Sequence, residues 1–481
     1  PFCLLDVPAD APYTKDILML TYILNILCAI ASTVLFLKAP HHYDYMYCCV
    51  LMWLYIAQNV LYFATNKRKN WFGFEFIFCL SFFFVNFVYP VFYYPTRPHF
   101  SFFAMPFNAN VITRSTALAY FGYAWYLLGA TRIFRMQREE PDTPTFHIGM
   151  NQYLCFFVVT ALSFALFVVT GGVRQLQSVY SGGGMLGDVG IYSYFNNIFT
   201  IGCYAMAIFL FRIKPKHRWF YALALLFCLS VILMTGSRQL TIGIVLILAV
   251  GFSMYVRHLK FWQILLLMLA GACALFLIMS VRKLGFDPAL WQRKMSGMQL
   301  QSILDIFEDL IINDLNLFVL VEYADTHPLT WFHGMLLDIT SPIPGVANKI
   351  IAMAGEPKEL LHGGDLPSYI LLGANACWGT GTNMVGEAYR SFGLIGTALA
   401  MMLIGFLVKE SFYRAKDSVY WYMLYFLFVS HALIYPRAPL LFDPRLVVWS
   451  LGLLWVIMTA TQKMSPFVSK IITFKESNGN Q

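Results

Sequence analysis

Apolar stretches of about twenty residues or more recur along most of this chain, and no other feature limits its fold so strongly. A helix needs about 20 apolar residues to cross the hydrocarbon core of a bilayer. Lipid offers backbone groups no hydrogen-bond partners, so only helices and closed barrels can span it. A barrel would show segments of about ten residues with alternating polarity instead. The expected fold class is therefore an all-α, polytopic integral membrane protein. Of the 481 residues, 12% are charged and 59% hydrophobic. Soluble domains carry about 25% charged residues, so a soluble enzyme and a disordered chain are both excluded. The net charge of +8 sits in short clusters between apolar runs, the pattern that orients membrane helices. It does not point to a nucleic-acid partner.

The hydropathy pattern predicts twelve spans, near 17–37, 44–65, 71–94, 111–130, 151–171, 191–211, 219–236, 239–256, 261–281, 383–407, 418–436 and 446–462. The first run is followed by more of the same, so it reads as a permanent helix and not a signal peptide. Basic clusters follow every even-numbered span, and together with Lys15 they hold 19 of the 33 Lys and Arg residues. By the positive-inside rule both termini are cytoplasmic. The segment 282–382, between the ninth and tenth spans, is then a large periplasmic loop, and loops this long are usually functional. The chain reads as a single transmembrane domain over 1–481, elaborated by that loop.

Within the loop, Ile303, Phe307, Leu310 and Ile311 recur at helical spacing, with Asp305, Glu308 and Asp309 on another face. This predicts an amphipathic helix over about 300–322 lying at the membrane surface. Eight of the ten cysteines fall inside apolar runs, where Cys acts as a small hydrophobe, and there is no CxxC pair. Walker, HExxH and GxSxG sequences are all missing, so nucleotide hydrolysis, zinc proteolysis and serine hydrolysis have no support.

Ionisable groups near the membrane mark chemistry by default. Arg238 lies in the tight turn Thr235-Gly236-Ser237-Arg238, where free backbone N–H groups and a guanidinium together suit a phosphate; snorkelling to the interface is the simpler alternative. Arg174 follows Gly171-Gly172, close to the glycine-rich 182–184 stretch. Glu387 and Arg390 stand at i and i+3 where the tenth span begins. They form either an intrahelical ion pair or a base beside a phosphate-binding arginine. His333 and His362 are loop histidines that could serve as base. Trp291, Trp331, Tyr369, Trp378 and Tyr389 are outer-face aromatics that could stack on sugar rings or simply form an interfacial belt.

Several of these stretches resemble one family. Leu233-Met234-Thr235-Gly236-Ser237-Arg238 is similar to the TGSR turn of bacterial Wzy-type O-antigen and oligosaccharide repeat-unit polymerases. Pro328, Gly334, Ser341-Pro342-Ile343-Pro344 and Lys349 follow the order of that family's loop pattern. Gly379-Thr380-Gly381-Thr382, then Gly386-Glu387-Ala388-Tyr389-Arg390-Ser391-Phe392-Gly393, resemble its helix-entry motif. The likeness covers about 174–405.

The resemblance implies a GT-C-like, metal-independent glycosyltransferase of the bacterial inner membrane, without cofactor. It would join undecaprenyl-diphosphate-linked repeats for lipopolysaccharide or a similar surface polysaccharide at the periplasmic face. The implied catalytic candidates are Glu387, His333 and His362. The implied diphosphate-binding residues are Arg174, Arg238, Arg282, Arg293 and, at a variable motif position, Arg390. Partners would be lipid-linked glycans, the bilayer and, optionally, a chain-length regulator in the membrane. Two alternatives stand beside it. An O-antigen ligase transferring glycan to lipid A-core shares the topology, but its His-Asn type loop motif is not matched by Phe332-His333-Gly334 or Leu361-His362-Gly363. A flippase or transporter would place charge at mid-membrane depth, where these spans carry almost none.

Overall fold

The computed structural model describes residues 13–65, 70–131, 146–172, 190–213, 238–260, 307–374, 379–441 and 443–478, with short pieces between 222 and 271. Side chains are described from 19 to 462, that of Arg238 excepted. All regular structure among these residues is helical. The helices are α1 (Tyr13–Leu37), α2 (Tyr45–Thr65), α3 (Phe74–Asn86), α4 (Ile112–Ala130), α5 (Met150–Val169), α6 (Ile191–Phe209) and α7 (Arg238–Tyr255). They continue as α8 (Glu308–Ile311), α9 (Asp314–Thr326), α10 (Leu336–Thr340), α11 (Val346–Ala354), α12 (Leu366–Leu372), α13 (Met384–Arg414), α14 (Val419–His431) and α15 (Pro444–Asn478).

Among the described residues, six helical stretches are long and apolar enough to cross a bilayer: Met19–Leu37, Tyr45–Thr65, Met150–Val169, Ile191–Arg212, Met384–Arg414 and Pro444–Gln462. Phe74–Asn86 and Gln239–Tyr255 are shorter apolar helices. Leu20, Leu27 and Ile30 of α1, Leu162 and Val169 of α5, and Leu399 and Leu403 of α13 are all exposed, which suits lipid and not water. The chain is a multi-pass membrane protein. The expected seventh span and most of the ninth lie outside the described residues.

Helix α4 is the hub. It is buried on nearly every face and packs most closely on α13. Glycines set that approach. A Cβ on Gly129 would overlap the Met402 backbone, one on Gly405 would overlap the Tyr126 carbonyl, and one on Gly122 would crowd Val385. Small residues let membrane helices close to backbone contact, where dispersion rather than the hydrophobic effect holds them. Thr113, Ser115 and Thr116 of α4 are tolerated because they too are buried inside protein.

Helix α13 begins with Asn383, whose side chain accepts from the Val385 and Gly386 amides and donates to Asn86 Oδ1 at 2.8 Å. It breaks at Gly393, where φ is +65°. The break frees the carbonyls of Arg390 and Ser391. The Thr330 and Trp331 amides take them at 3.3 and 2.8 Å, so the loop is stitched onto the helix.

The acidic stretch departs from the expected surface helix. Its described part forms α8 and α9, and Asp314 through Val321 are all buried, with α9 packed on α13, α12 and α4. Leu317 and Leu320 fill the space beside Gly386 of α13. The apolar positions run round the whole cylinder here, so the helix sits inside the bundle. A buried pair, Lys409–Glu75 at 3.5 Å, lies toward the far end of α13, with the Lys409 ammonium near the Tyr62, Phe412 and Tyr413 rings.

Candidate active site

The first turns of α13, the 330–340 segment and the 361–365 segment converge on one cluster. Glu387 is fully buried. Its Oε2 accepts the Leu440 amide at 2.7 Å, while Oε1 has no hydrogen-bond partner. A Cβ on Gly363 would overlap Oε1, so backbone stands directly over the carboxylate. Arg390, 1% exposed, does not spend its hydrogen bond on Glu387. Its Nη2 donates to the Gly334 carbonyl at 2.9 Å, and a Cβ on Gly334 would overlap the guanidinium. Glycine is thus the only residue type that fits at 334 and 363, over these two buried side chains.

Asp338 of α10 completes the cluster. Its Oδ1 lies 3.0 Å from His362 Nε2, and its Oδ2 accepts the Gly363 amide at 3.2 Å. The Leu337 amide bonds the Leu361 carbonyl at 3.1 Å, holding the two segments side by side. The other ring nitrogen of His362, Nδ1, is 3.2 Å from Asp365 Oδ2. Asp338 is nearly buried, with 8% of its side chain exposed, whereas His362 and Asp365 are 32% and 47% exposed. Burial alone would lower the His362 pKa, but the two carboxylates outweigh it and hold the imidazolium well above the usual range. Asp365 is kept below its ordinary value, because His362 and Lys358 outweigh its burial.

The structure therefore brings Glu387, Arg390 and His362 together and leaves His333 apart. His333 Nε2 pairs at 3.0 Å with Glu356, both about half exposed. Arg174, Arg282 and Arg293 lie outside the described residues, and Arg238 opens α7 with its side chain outside them as well. Sequence reasoning missed Asp338. A single acid in the otherwise apolar run Met335-Leu336-Leu337-Asp338-Ile339 was the available signal. It also missed what holds the Ser341–Pro344 motif. Arg445 Nε donates to the Ser341 carbonyl at 2.8 Å and Trp449 Nε1 to the Pro342 carbonyl at 2.7 Å. Three of the proposed stacking aromatics are placed, with Tyr369 partly buried in α12. Tyr389 has its hydroxyl 2.9 Å from Asp325 and 3.0 Å from Arg114, while Trp331 is exposed. Among the described residues no group of three or more His, Cys, Asp or Glu is arranged to hold a metal ion.

A family model described as O-antigen polysaccharide polymerase Wzy matches residues 17–464. The chain belongs to the Wzy family. No curated protein and no solved structure matches it. The Wzy match runs past both ends of the motif-bearing region, about 174–405, and takes in the amino-terminal helices. Its span includes the whole cluster of Asp338, His362, Glu387 and Arg390. Membership brings glycosyltransferase-type polymerisation of O-antigen repeats as the general activity.

Proposed function

We propose that this Wzy protein joins undecaprenyl-diphosphate-linked repeat units at the periplasmic face of the inner membrane, with His362 as the proton acceptor. The observation that carries this reading is the Asp338–His362 pair. Of the three catalytic candidates, His362 alone combines a partly exposed ring with a nearly buried carboxylate at 3.0 Å. That is how an orienting acid holds a working imidazole. His333 faces an exposed glutamate, and Glu387 is sealed beneath Gly363.

A hydroxyl of the incoming repeat attacks the anomeric carbon of the growing chain, forming the new glycosidic bond. The bond from that carbon to the carrier diphosphate breaks, and the hydroxyl proton passes to His362. In the resting site Asp365 Oδ2 lies 3.2 Å from Nδ1. When a sugar hydroxyl displaces that carboxylate, the Nδ1 proton leaves with Asp365 and passes to solvent, so the ring is neutral and Nδ1 can take the hydroxyl proton. Arginines of the 174, 238, 282 and 293 positions neutralise the departing diphosphate. The donor is already activated, so no nucleotide or metal enters the scheme. Glu387 acts as a positioning residue, tying the Leu440 strap and the Gly363 backbone to α13.

Deletion of the gene, followed by gel analysis of surface glycan, tests the reading. Lipid A-core carrying a single repeat is the expected result. Core without repeats, with polymer left on the carrier lipid, would point to a ligase instead.

A further inference from the structure

A cavity of about 170 Å3 lies apart from the Asp338–His362 cluster, between α6, α14 and the first residues of α7 and α15. Its polar lining is Asn197, Thr200, Gln239, His431, Asp443 and Arg445. Ile201 and the buried ring of Tyr204 add an apolar wall. Gln239 and Asp443 are exposed, whereas Tyr204, His431 and Leu446 are buried, so the cavity opens outward from a closed floor.

The chemistry of this lining is specific. Asn197 and Thr200 stand one helical turn apart on one face of α6. The amides and the hydroxyl can each donate and accept, Asp443 accepts, and Arg445 only donates. That mixture suits a ligand whose groups also do both, namely the hydroxyls of a sugar. Tyr204 and Ile201 offer apolar surface to the C–H side of a ring. The Asp443 carboxylate opposes an anion, which disfavours the diphosphate here. The cavity holds far more than one water, whose place needs about 10–15 Å3. It is smaller than the roughly 300–1,000 Å3 of a drug-sized pocket, so it has room for one ring and not an oligosaccharide.

The cavity is tied to the catalytic cluster on two sides. Arg445, in its lining, bonds the Ser341 carbonyl, three residues from Asp338. Tyr194 of α6 accepts the Gly345 amide at 3.2 Å and stacks on Trp449, so the loop is pinned to two of the helices that line the cavity. The strap that gives its Leu440 amide to Glu387 reaches the cavity three residues later at Asp443.

We infer that this cavity is a subsite for a single sugar ring of the glycan substrate, which fixes the register of the repeat on the enzyme. The inference rests on the polymerase reading and deepens it. The test uses the purified full-length protein in nanodiscs, with two probes: the cell's own repeat-unit oligosaccharide freed from its lipid, and inorganic pyrophosphate. Thr200→Val and Asn197→Leu should each weaken oligosaccharide binding about two- to tenfold, the worth of one hydrogen bond. Thr200→Ser should bind as wild type, which separates loss of the hydroxyl from misfolding. Pyrophosphate binding should not change in any of them. Oligosaccharide binding equal in wild type, Thr200→Val and Asn197→Leu would overturn the subsite, as would pyrophosphate binding lost in Asn197→Leu. If wild type polymerises lipid-linked repeats while the variants bind normally, only the subsite falls. If binding drops in the variants but wild type joins no repeats, the subsite stands and the polymerase reading falls.

Discussion

Gly363 lays its backbone directly on the Glu387 carboxylate, leaving no room for a Cβ at position 363. The same is true of Gly334 over the Arg390 guanidinium. Gly363→Ala and Gly334→Ala should therefore each cost about 1–3 kcal/mol, the usual penalty for overfilling a packed site. Thermal unfolding in detergent checks this. Because both glycines seat catalytic-loop segments, glycan ladders from these strains should shorten as well.

Activity should depend on pH in a definite direction. The His362 pKa is raised by Asp338 and Asp365, so a base at this position works better as pH rises through that value. Asp365→Asn removes one of the two carboxylates. It should lower the His362 pKa and shift the rising limb of the rate profile to lower pH. Conversely, any stability from the imidazolium–carboxylate contacts is present at low pH and fades as pH rises through the folded-state value. Rates measured in proteoliposomes across pH, wild type against Asp365→Asn, decide the matter; an unmoved profile would exclude His362 as the titrating group.

Asp314 is wholly buried and neither of its carboxyl oxygens has a hydrogen-bond partner. Burial raises its pKa well above the ordinary value. The unfolded chain ionises near pH 4 while the native one resists, so native stability falls as pH climbs above about 4. Asp314→Asn should stabilise the protein at neutral pH, with the gain vanishing near pH 4. Melting temperatures of both proteins across pH 4–8 give the comparison, and parallel curves would contradict the assignment.

By the positive-inside rule the alternating basic clusters predict the 282–382 loop to lie on the opposite side of the membrane from the 132–138 cluster. Single cysteines at the exposed Asn348 and at Arg135, in a background lacking the native ones, should label from opposite sides with an impermeant thiol reagent. Labelling from one side would invert the proposed topology.

Six of the spans were legible because length and apolarity alone decide them, and α1, α2, α5 and α6 start and stop within a few residues of the apolar runs. The interior loop helix was not legible. Asn313, Asp314 and Asn316 look like a solvated edge in sequence, yet all three are buried, with Asn316 Nδ2 donating to the Thr380 carbonyl at 2.9 Å. Polarity along one chain cannot report a partner sixty residues away. The Glu387 and Arg390 positions were legible from helical spacing, but their partners were not. Arg390 bonds the Gly334 carbonyl because the Gly393 break brings the 330–334 segment over the helix. Asp338 stayed hidden for the same reason, since only the fold sets it against His362.

The central claim is that the Asp338–His362 pair moves the proton in glycosyl transfer. The direct measurement is single-enzyme polymerisation in proteoliposomes supplied only with lipid-linked repeats, comparing wild type with His362→Gln. The variant keeps hydrogen-bonding capacity at that position but cannot serve as base. A rate lowered by at least about a hundredfold, with lipid-linked repeats still bound, is the predicted result. Polymer formed at near wild-type rate by His362→Gln would contradict the account.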